Sequence, residues 1–160
     1  MKQRGERYFD GVEDEYPYRE TLPDTFEKGD ESKMLVCMVP RAKKITEYQP
    51  DQLHFRKMLN NALNNMSCFD NGVDCITRIV NTKTTHARFS NQIDQGLSPH
   101  AGITLKTCQI SEKVRGRDIL LVDDVYTPSI NIDEDCIQAL LDSGAKSVTF
   151  YAVAKTIKRN

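Results

Sequence analysis

Residues 119–127 read ILLVDDVYT, in which four apolar residues are followed at once by two carboxylates. A short apolar run of this kind predicts a buried strand of a parallel sheet. In open α/β sheets, ligands bind beyond the carboxyl ends of such strands. Side chains alternate along a regular strand, so Asp123 and Asp124 point to opposite faces. At the edge of the sheet, however, both can reach one polyol, whose vicinal hydroxyls are paired hydrogen-bond donors.

A helix is predicted after this strand, because apolar residues recur there at helical spacing. The stripe consists of Ile132, Cys136, Ile137, Leu140 and Leu141. Gly144 follows where a helix C-terminus favours a residue that tolerates positive φ. The N-terminus of this helix offers free backbone N–H groups and the positive end of the helix dipole, which suit a phosphate.

The same helix start also allows a purely structural interpretation. Asn131 can cap the helix, and Glu134 three residues later completes a capping-box pattern. Asp133 and Asp135 interact favourably with the helix dipole, but they would repel a phosphate dianion. The sequence leaves both interpretations open.

The rest of the chain completes an alternation of strands and helices. Four runs are predicted as strands: 34–39, 73–80, 118–125 and 146–154. The first crossover helix opens at Pro50, and its apolar stripe consists of Phe55, Met58, Leu59, Ala62, Leu63 and Met66. The long connection 81–117 contains a further short strand at 104–110. This alternation predicts an α/β fold, a mainly parallel twisted sheet with flanking helices.

Residues 33–160 are predicted to form one domain, since a chain of 160 residues that is 39% hydrophobic can bury a single core. Residues 1–32 lack sustained periodicity and are rich in charge, proline and aromatic residues, so we expect an irregular arm or small hood there. The net charge of −1 indicates neither nucleic acid nor a membrane surface as a partner. The five cysteines form no C-x-x-C pair, and no secretory or membrane-spanning stretch is evident. We therefore expect a cytoplasmic protein with reduced, mostly buried thiols.

The strand and helix around the acid pair resemble a known enzyme family. Residues 119–127, 140–148 and 152–156 look like the phosphoribosyl-pyrophosphate (PRPP) motif and the following unit of type I phosphoribosyltransferases. Arg78 and residues 88–91 faintly resemble the competence-protein-F-type amidophosphoribosyltransferase-like branch. The zinc-binding cysteines that often precede the domain in that branch are absent here. The resemblance implies a type I phosphoribosyltransferase-like, Rossmann-like fold.

By this resemblance, Asp123 and Asp124 are catalytic residues that hold the ribose 2′- and 3′-hydroxyls. The following loop wraps the 5′-phosphate through its substrate-binding residues, Thr127, Ser129, Ile130 and Asn131. The family has a Thr-Thr-Gly pattern in this loop, whereas this chain has Thr-Pro-Ser. Pro128 removes one backbone donor, and the serine replaces a glycine that lets the backbone approach a phosphate closely. Ser129 and Asn131 could supply side-chain donors instead.

The resemblance also implies a diphosphate site after the first strand. The matching loop is 39–44, with Arg41, Ala42 and Lys43 as its substrate-binding residues. Mg²⁺ is expected to arrive with the pyrophosphate of the substrate rather than on protein ligands. Arg88 is expected as a further catalytic residue, in a mobile loop that closes over the substrate and excludes water.

Two functional interpretations follow. The first is an enzyme that transfers a 5-phosphoribosyl group from PRPP to a nitrogen acceptor, through an oxocarbenium-like transition state stabilised by positioning and charge. The second is a catalytically silent nucleotide-sensing or assembly protein that binds PRPP or a nucleoside monophosphate. A flavodoxin-like signalling domain is disfavoured, because the acid pair lies on a late strand after a long connection. A homodimer is expected, because the basic loops of the family's fold are often completed across a subunit boundary.

Overall fold

A computed structural model describes residues 33–82, 102–128 and 131–156. The strands in these ranges are β1 (Met34–Met38), β2 (Phe69–Gly72), β3 (Ile76–Arg78), β4 (Cys108–Ile110), β5 (Asp118–Tyr126) and β6 (Ser147–Lys155). The α-helices are α1 (His54–Asn64) and α2 (Ile132–Asp142), and 3₁₀ turns cover Ile45–Glu47, Pro50–Leu53 and Glu112–Val114. None of the helices in the described ranges is long and apolar enough to cross a membrane. The predicted arm, residues 1–32, lies outside the described residues.

The described strands form a four-stranded sheet in the order β2-β1-β5-β6, and every neighbouring pair is parallel. Two further strands, β3 and β4, make a separate antiparallel pair. The predicted α/β fold with a mainly parallel sheet is therefore confirmed. From β1 the chain moves outward to β2, and it later returns to the other side of β1 to form β5. The strand order reverses between β1 and β5, and open α/β sheets bind ligands at such a switch point.

The two helices pack on opposite faces of the sheet, because side chains alternate along β1 and β5. One face carries α2 over a core of Leu35, Cys37, Ile119, Leu121, Cys136 and Leu140. The other carries α1 over a smaller core of Val36, Met38, Leu63, Val73 and Val122. All five cysteines are free thiols, and all but the exposed Cys68 are buried, in agreement with the sequence prediction.

Helix α2 ends as its sequence predicts. Gly144 has a φ of 93°, the left-handed conformation that glycine adopts at little cost. The N–H of Ala145 donates to the carbonyl of Leu140 at 3.1 Å, and the N–H of Gly144 donates to that of Leu141 at 3.0 Å. These bonds satisfy carbonyls that a helix end otherwise leaves unpaired, so the chain turns directly into β6.

The predicted strand 73–80 is wrong. The chain instead forms β2, which joins the parallel sheet, and β3, which pairs with β4. β2 reads Phe-Asp-Asn-Gly and is the outermost strand at its end of the described sheet, so it lacks the apolar run of a buried strand. The apolar residues that suggested one strand are divided between two cores: Val73 packs with α1, whereas Cys75 and Ile76 pack on the α2 side.

Two other boundaries differ from the sequence prediction. The segment that begins at Pro50 is a 3₁₀ turn, and α1 itself starts at His54. The predicted strand 104–110 is reduced to β4. Its first part forms a turn instead, because the N–H groups of Thr107 and Cys108 both donate to the carbonyl of Thr104.

Candidate functional site

β5 extends beyond β1 toward the carboxyl edge of the sheet. The last paired residues of the two strands are Met38 and Val122, and the N–H of Val39 donates to the carbonyl of Val122 at 3.0 Å. Among the described strands, β5 then continues beside β6 alone. Asp123 and Asp124 therefore lie immediately beyond the end of β1, next to the loop that follows it.

A pocket of about 100 Å³, open to solvent at its mouth, occupies this switch point. Its walls come from the end of β1 and the following loop, the start of α1, β3 and β5. Asp123 and Asp124 line it together with Arg41 and Lys43. The acid pair and the basic loop, which are far apart in the sequence, thus meet in one pocket.

Arg78 shapes the basic side of this pocket from within the protein. The residue is 6% exposed. Its Nε donates to the carbonyl of Arg41 at 3.1 Å, and its Nη1 donates to that of Gly102 at 2.9 Å. Burial lowers the pKa of this guanidinium. Arg78 therefore holds the loop after β1 in place through two of its five N–H donors.

The other cations that line the pocket differ in whether they already have a hydrogen-bond, ion-pair or aromatic partner. Arg41 lies over the ring of Tyr48, with 4.8 Å from its guanidinium carbon to the ring centroid, and donates to a backbone carbonyl. Arg56 forms an ion pair with Asp74. The ammonium of Lys43 makes no hydrogen bond or ion pair with any residue in the described ranges. Lys43 is therefore the cation best able to bind an anion.

Asp123 shares a hydrogen bond with Asp133, an acid in the first turn of α2. Asp133 is only 3% exposed. Burial, together with the charges of Asp133 and Asp124, raises the pKa of Asp123 to about 8. Burial also raises the pKa of Asp133 to about 6, although the hydrogen bond to Asp123 opposes this shift. Burial and the neighbouring carboxylates thus favour the protonated form of Asp123.

Asp124 differs from its neighbour in exposure. It is exposed, whereas Asp123 is half-buried and hydrogen-bonded toward α2. The pocket therefore offers two kinds of oxygen acceptor, one from the exposed carboxylate of Asp124 and one from the half-buried carboxyl of Asp123. Carboxyl oxygens placed in this way can accept hydrogen bonds from the vicinal hydroxyls of a polyol.

Four of the predicted site residues thus line the pocket: Asp123, Asp124, Arg41 and Lys43. No family model and no curated protein matches this chain. The resemblance to type I phosphoribosyltransferases therefore stays a prediction from the sequence, and what the pocket binds has to be argued from its own charges and hydrogen-bonding groups.

The remaining predicted site residues lie elsewhere. Ala42 does not line the pocket, and its carbonyl accepts the N–H of Thr82 at 2.7 Å. Thr127 is half-buried directly after β5 and is likewise not part of the pocket wall. Three predicted site residues fall outside the described residues: Arg88, Ser129 and Ile130.

The predicted capping box at the start of α2 is wrong. Asn131 has a φ of 55°, in the left-handed region that asparagine tolerates better than most residues. Within the described residues its side chain makes no capping hydrogen bond, while its carbonyl accepts the N–H of Asp135 at 3.0 Å. Glu134 does not return to the cap, because it accepts a hydrogen bond from the hydroxyl of Tyr126 at 2.9 Å.

Asp133 belongs to the site, although sequence reasoning had assigned it only to the helix dipole. The signal for its burial is its spacing, since Cys136, Ile137 and Leu140 follow three, four and seven positions later. These spacings put Asp133 on the apolar face of α2. Two of the buried carboxylate oxygens here, Asp133 Oδ1 and Glu134 Oε2, have no hydrogen-bond partner in the described part of the chain.

Proposed function

We propose that this chain binds a phosphorylated ribose, either PRPP or a nucleoside monophosphate, between β1 and β5 of a type I phosphoribosyltransferase-like fold. One observation carries the proposal: the Asp123–Asp124 pair and the ammonium of Lys43, which has no partner among the described residues, line the same pocket at the switch point of the sheet. Carboxyl oxygens accept hydrogen bonds from sugar hydroxyls, and a lysine binds phosphate as a point charge. A phosphorylated sugar satisfies both groups at once.

Magnesium fits this pocket as part of the substrate. Mg²⁺ usually keeps several waters and binds through one or two carboxylates together with substrate phosphates. The described residues contain no group of three or more side chains that could hold a metal ion. The exposed carboxylate of Asp124 is compatible with an ion that arrives on a diphosphate.

In its enzymatic form, the proposed reaction transfers the 5-phosphoribosyl group to a nitrogen acceptor. The bond from ribose C1 to the diphosphate breaks, the diphosphate leaves with the electron pair, and the acceptor nitrogen forms the new bond. Asp123 and Asp124 hold the ribose hydroxyls, and Lys43 lies beside the departing diphosphate. Catalysis then comes from positioning and from charge stabilisation in the transition state.

A silent nucleotide-binding protein is the second candidate. This candidate is favoured because the arginines of the pocket already have partners within the protein. Arg41 lies on the ring of Tyr48, and Arg78 donates to backbone carbonyls. Arg56 is paired with Asp74. A cation that already has such a partner stabilises the negative charge of a leaving diphosphate less. Release of pyrophosphate from PRPP in the presence of nitrogen bases is expected of the enzyme and not of the silent protein.

Ligand-induced stabilisation tests the binding proposal. A ligand at 100 times its Kd adds about 2.7 kcal/mol to the free energy of unfolding, so PRPP or adenosine monophosphate with Mg²⁺ should raise the Tm. Lys43→Gln should weaken binding about tenfold to a hundredfold, because a charge-assisted hydrogen bond is worth roughly 1.5–3 kcal/mol.

The matched control is Lys106→Gln, which removes an exposed lysine that does not line the pocket. Its Kd should equal that of the native protein. The proposal fails if none of these ligands raises the Tm, or if the two lysine variants bind equally well.

A further inference from the structure

We propose that Cys37 and Cys75 form a redox-active dithiol, which a hydroperoxide oxidises to an intramolecular disulfide. Cys37 lies on β1, and Cys75 lies in the turn between β2 and β3. Both are free thiols. Each is next in sequence to a residue that lines the pocket, Met38 in one case and Asp74 in the other. A bond between the two sulfurs therefore joins two segments of the pocket wall.

The backbone brings the two cysteines together. In the parallel register of β1 and β2, Cys37 is paired with Gly72, and neighbouring strands lie about 4.8 Å apart. The N–H of Cys75 donates to the carbonyl of Gly72 at 2.8 Å, which closes a β-turn whose ends are less than about 7 Å apart. The carbonyl of Cys75 accepts the N–H of Ser111 at 2.8 Å, so both backbone groups of this cysteine are held.

The two side chains lie on the same side of the sheet and contact each other. Both cysteines belong to the core under α2, and their thiols are hydrogen-bonded to one another. Hydrogen-bonded sulfur atoms are a short side-chain movement away from the S–S distance of about 2.05 Å. A disulfide also requires Cα atoms about 4.4–6.8 Å apart, which the register and the turn allow.

The two thiols are not equivalent, and Cys75 is the one that reacts first. It is 4% exposed, whereas Cys37 is fully buried. The hydrogen bond with Cys37 lowers the pKa of the Cys75 thiol to about 7 against the effect of burial, and the charges of two nearby cations, Lys113 and Arg117, also lower it. The thiolate is the nucleophilic form of cysteine, so Cys75 supplies the nucleophile near neutral pH. A hydroperoxide reaches it through local opening of the turn.

The oxidation consumes one hydroperoxide for each pair of thiols. The Cys75 thiolate attacks hydrogen peroxide, the O–O bond breaks, and a sulfenic acid forms while the leaving hydroxide takes up the proton released on ionisation. The thiol sulfur of Cys37 then displaces the sulfenic oxygen. The S–S bond forms, the S–O bond breaks, and the oxygen leaves as water with the Cys37 proton. Two electrons thus pass from the thiols to the peroxide, which becomes two waters.

Peptide mapping of the full chain after brief treatment with hydrogen peroxide tests the proposal. Trypsin cuts after lysine and arginine, so Cys37 falls in peptide 34–41 and Cys75 falls in peptide 58–78. The native chain should yield these two peptides joined by a bond that dithiothreitol reverses. Its free thiols should fall from five to three, because the bond consumes two of them.

Cys68→Ser is the matched control, because the exposed Cys68 lies in the same peptide, 58–78. The link should persist in Cys68→Ser and be lost in Cys75→Ser. The proposal is overturned if the link persists in Cys75→Ser, if no link forms, or if the link involves the peptides of the other buried cysteines, 107–113 and 118–146. Should Cys75→Ser not fold, fragmentation of the linked peptides from the native chain shows directly which cysteine of peptide 58–78 carries the bond.

Discussion

Burial raises the pKa of two neighbouring acids, Asp123 on β5 and Asp133 at the start of α2. Both carboxyls have a higher pKa in the folded protein, about 8 and about 6, than the ordinary value of 3.8. The folded state therefore binds more protons than the unfolded state across this range. Stability from the pair is complete below the unfolded pKa, and it is lost as the pH rises through the folded values. The free energy of unfolding should consequently fall between about pH 4 and about pH 8.

Asp133→Asn should flatten this pH dependence, because one of the two acids no longer titrates. A tenfold difference in proton affinity between the folded and unfolded states is worth about 1.4 kcal/mol, so the change is measurable by denaturant unfolding at several pH values. Asp142→Asn, at the exposed end of α2, should keep the native dependence. An unchanged slope in Asp133→Asn would show that Asp133 does not titrate with a raised pKa in the folded protein.

Some of these residues could be predicted to lie together and others could not. Lys43 follows one parallel strand and Asp124 ends another, and the carboxyl ends of parallel strands meet at one edge of the sheet. The contact of Asp133 with Asp123 depends on how α2 packs against β5, which no local pattern specifies. The basic side chain of Arg78 is suited to binding an anionic substrate. Its partners are instead the carbonyls of residues distant in the sequence, so its structural role could not be predicted without the fold.

Among the elements, those with a strong apolar pattern were predictable. β1, β5, β6 and α2 match their predicted positions closely, because a buried strand or an amphipathic helix needs a continuous or periodic set of apolar residues. β2 has no such pattern, since it contributes an aspartate and an asparagine at the outside of the sheet. The strand order itself depends on pairing between distant segments, and the phosphoribosyltransferase-like topology stays a proposal.

The packing of β2 on β1 depends on Gly72. A Cβ at this position would lie 2.7 Å from Cγ of Leu35 and 3.0 Å from the carbonyl oxygen of Val36. Gly72→Ala should therefore lower the free energy of unfolding by about 1–3 kcal/mol, as overpacking of a core does. In the presence of Leu35→Ala, which removes the Cγ and Cδ1 atoms nearest to the new Cβ, Gly72→Ala should cost less, and a double-mutant cycle in denaturant would measure this as a favourable coupling energy. Strict additivity of the two changes would refute the close contact.

For the whole molecule, a homodimer remains a prediction with a physical reason. A diphosphate carries several negative charges, while the described part of the pocket has one free cation, Lys43. A neighbouring subunit could supply the missing positive charge. At a concentration on the order of tens of micromolar, sedimentation velocity should show a dimer. A monomer under these conditions, with or without PRPP, would contradict the prediction.

Ligand binding should also leave a definite pattern of hydrogen exchange along the chain. Amides that exchange through global unfolding gain the same protection everywhere, equal to the free energy that the ligand adds. Amides that exchange through local opening are protected only where the ligand restricts their segment. Two 3₁₀ turns form a matched pair for this test. Pro50–Leu53 contributes to the pocket wall, whereas Glu112–Val114 precedes β5 at the opposite edge of the sheet.

With PRPP and Mg²⁺, exchange in Pro50–Leu53 and in the loop after β1 should slow markedly, while exchange in Glu112–Val114 should stay as in the free protein. The reason is that a ribose phosphate held by Asp124 and Lys43 fills the pocket that Pro50–Leu53 borders, and so opposes the local opening of that turn. Mass spectrometry of peptides from the native chain measures both segments in one experiment. Slowing confined to Glu112–Val114 would place the ligand at the amino edge of the sheet, and the pocket between β1 and β5 would have to be abandoned as the binding site.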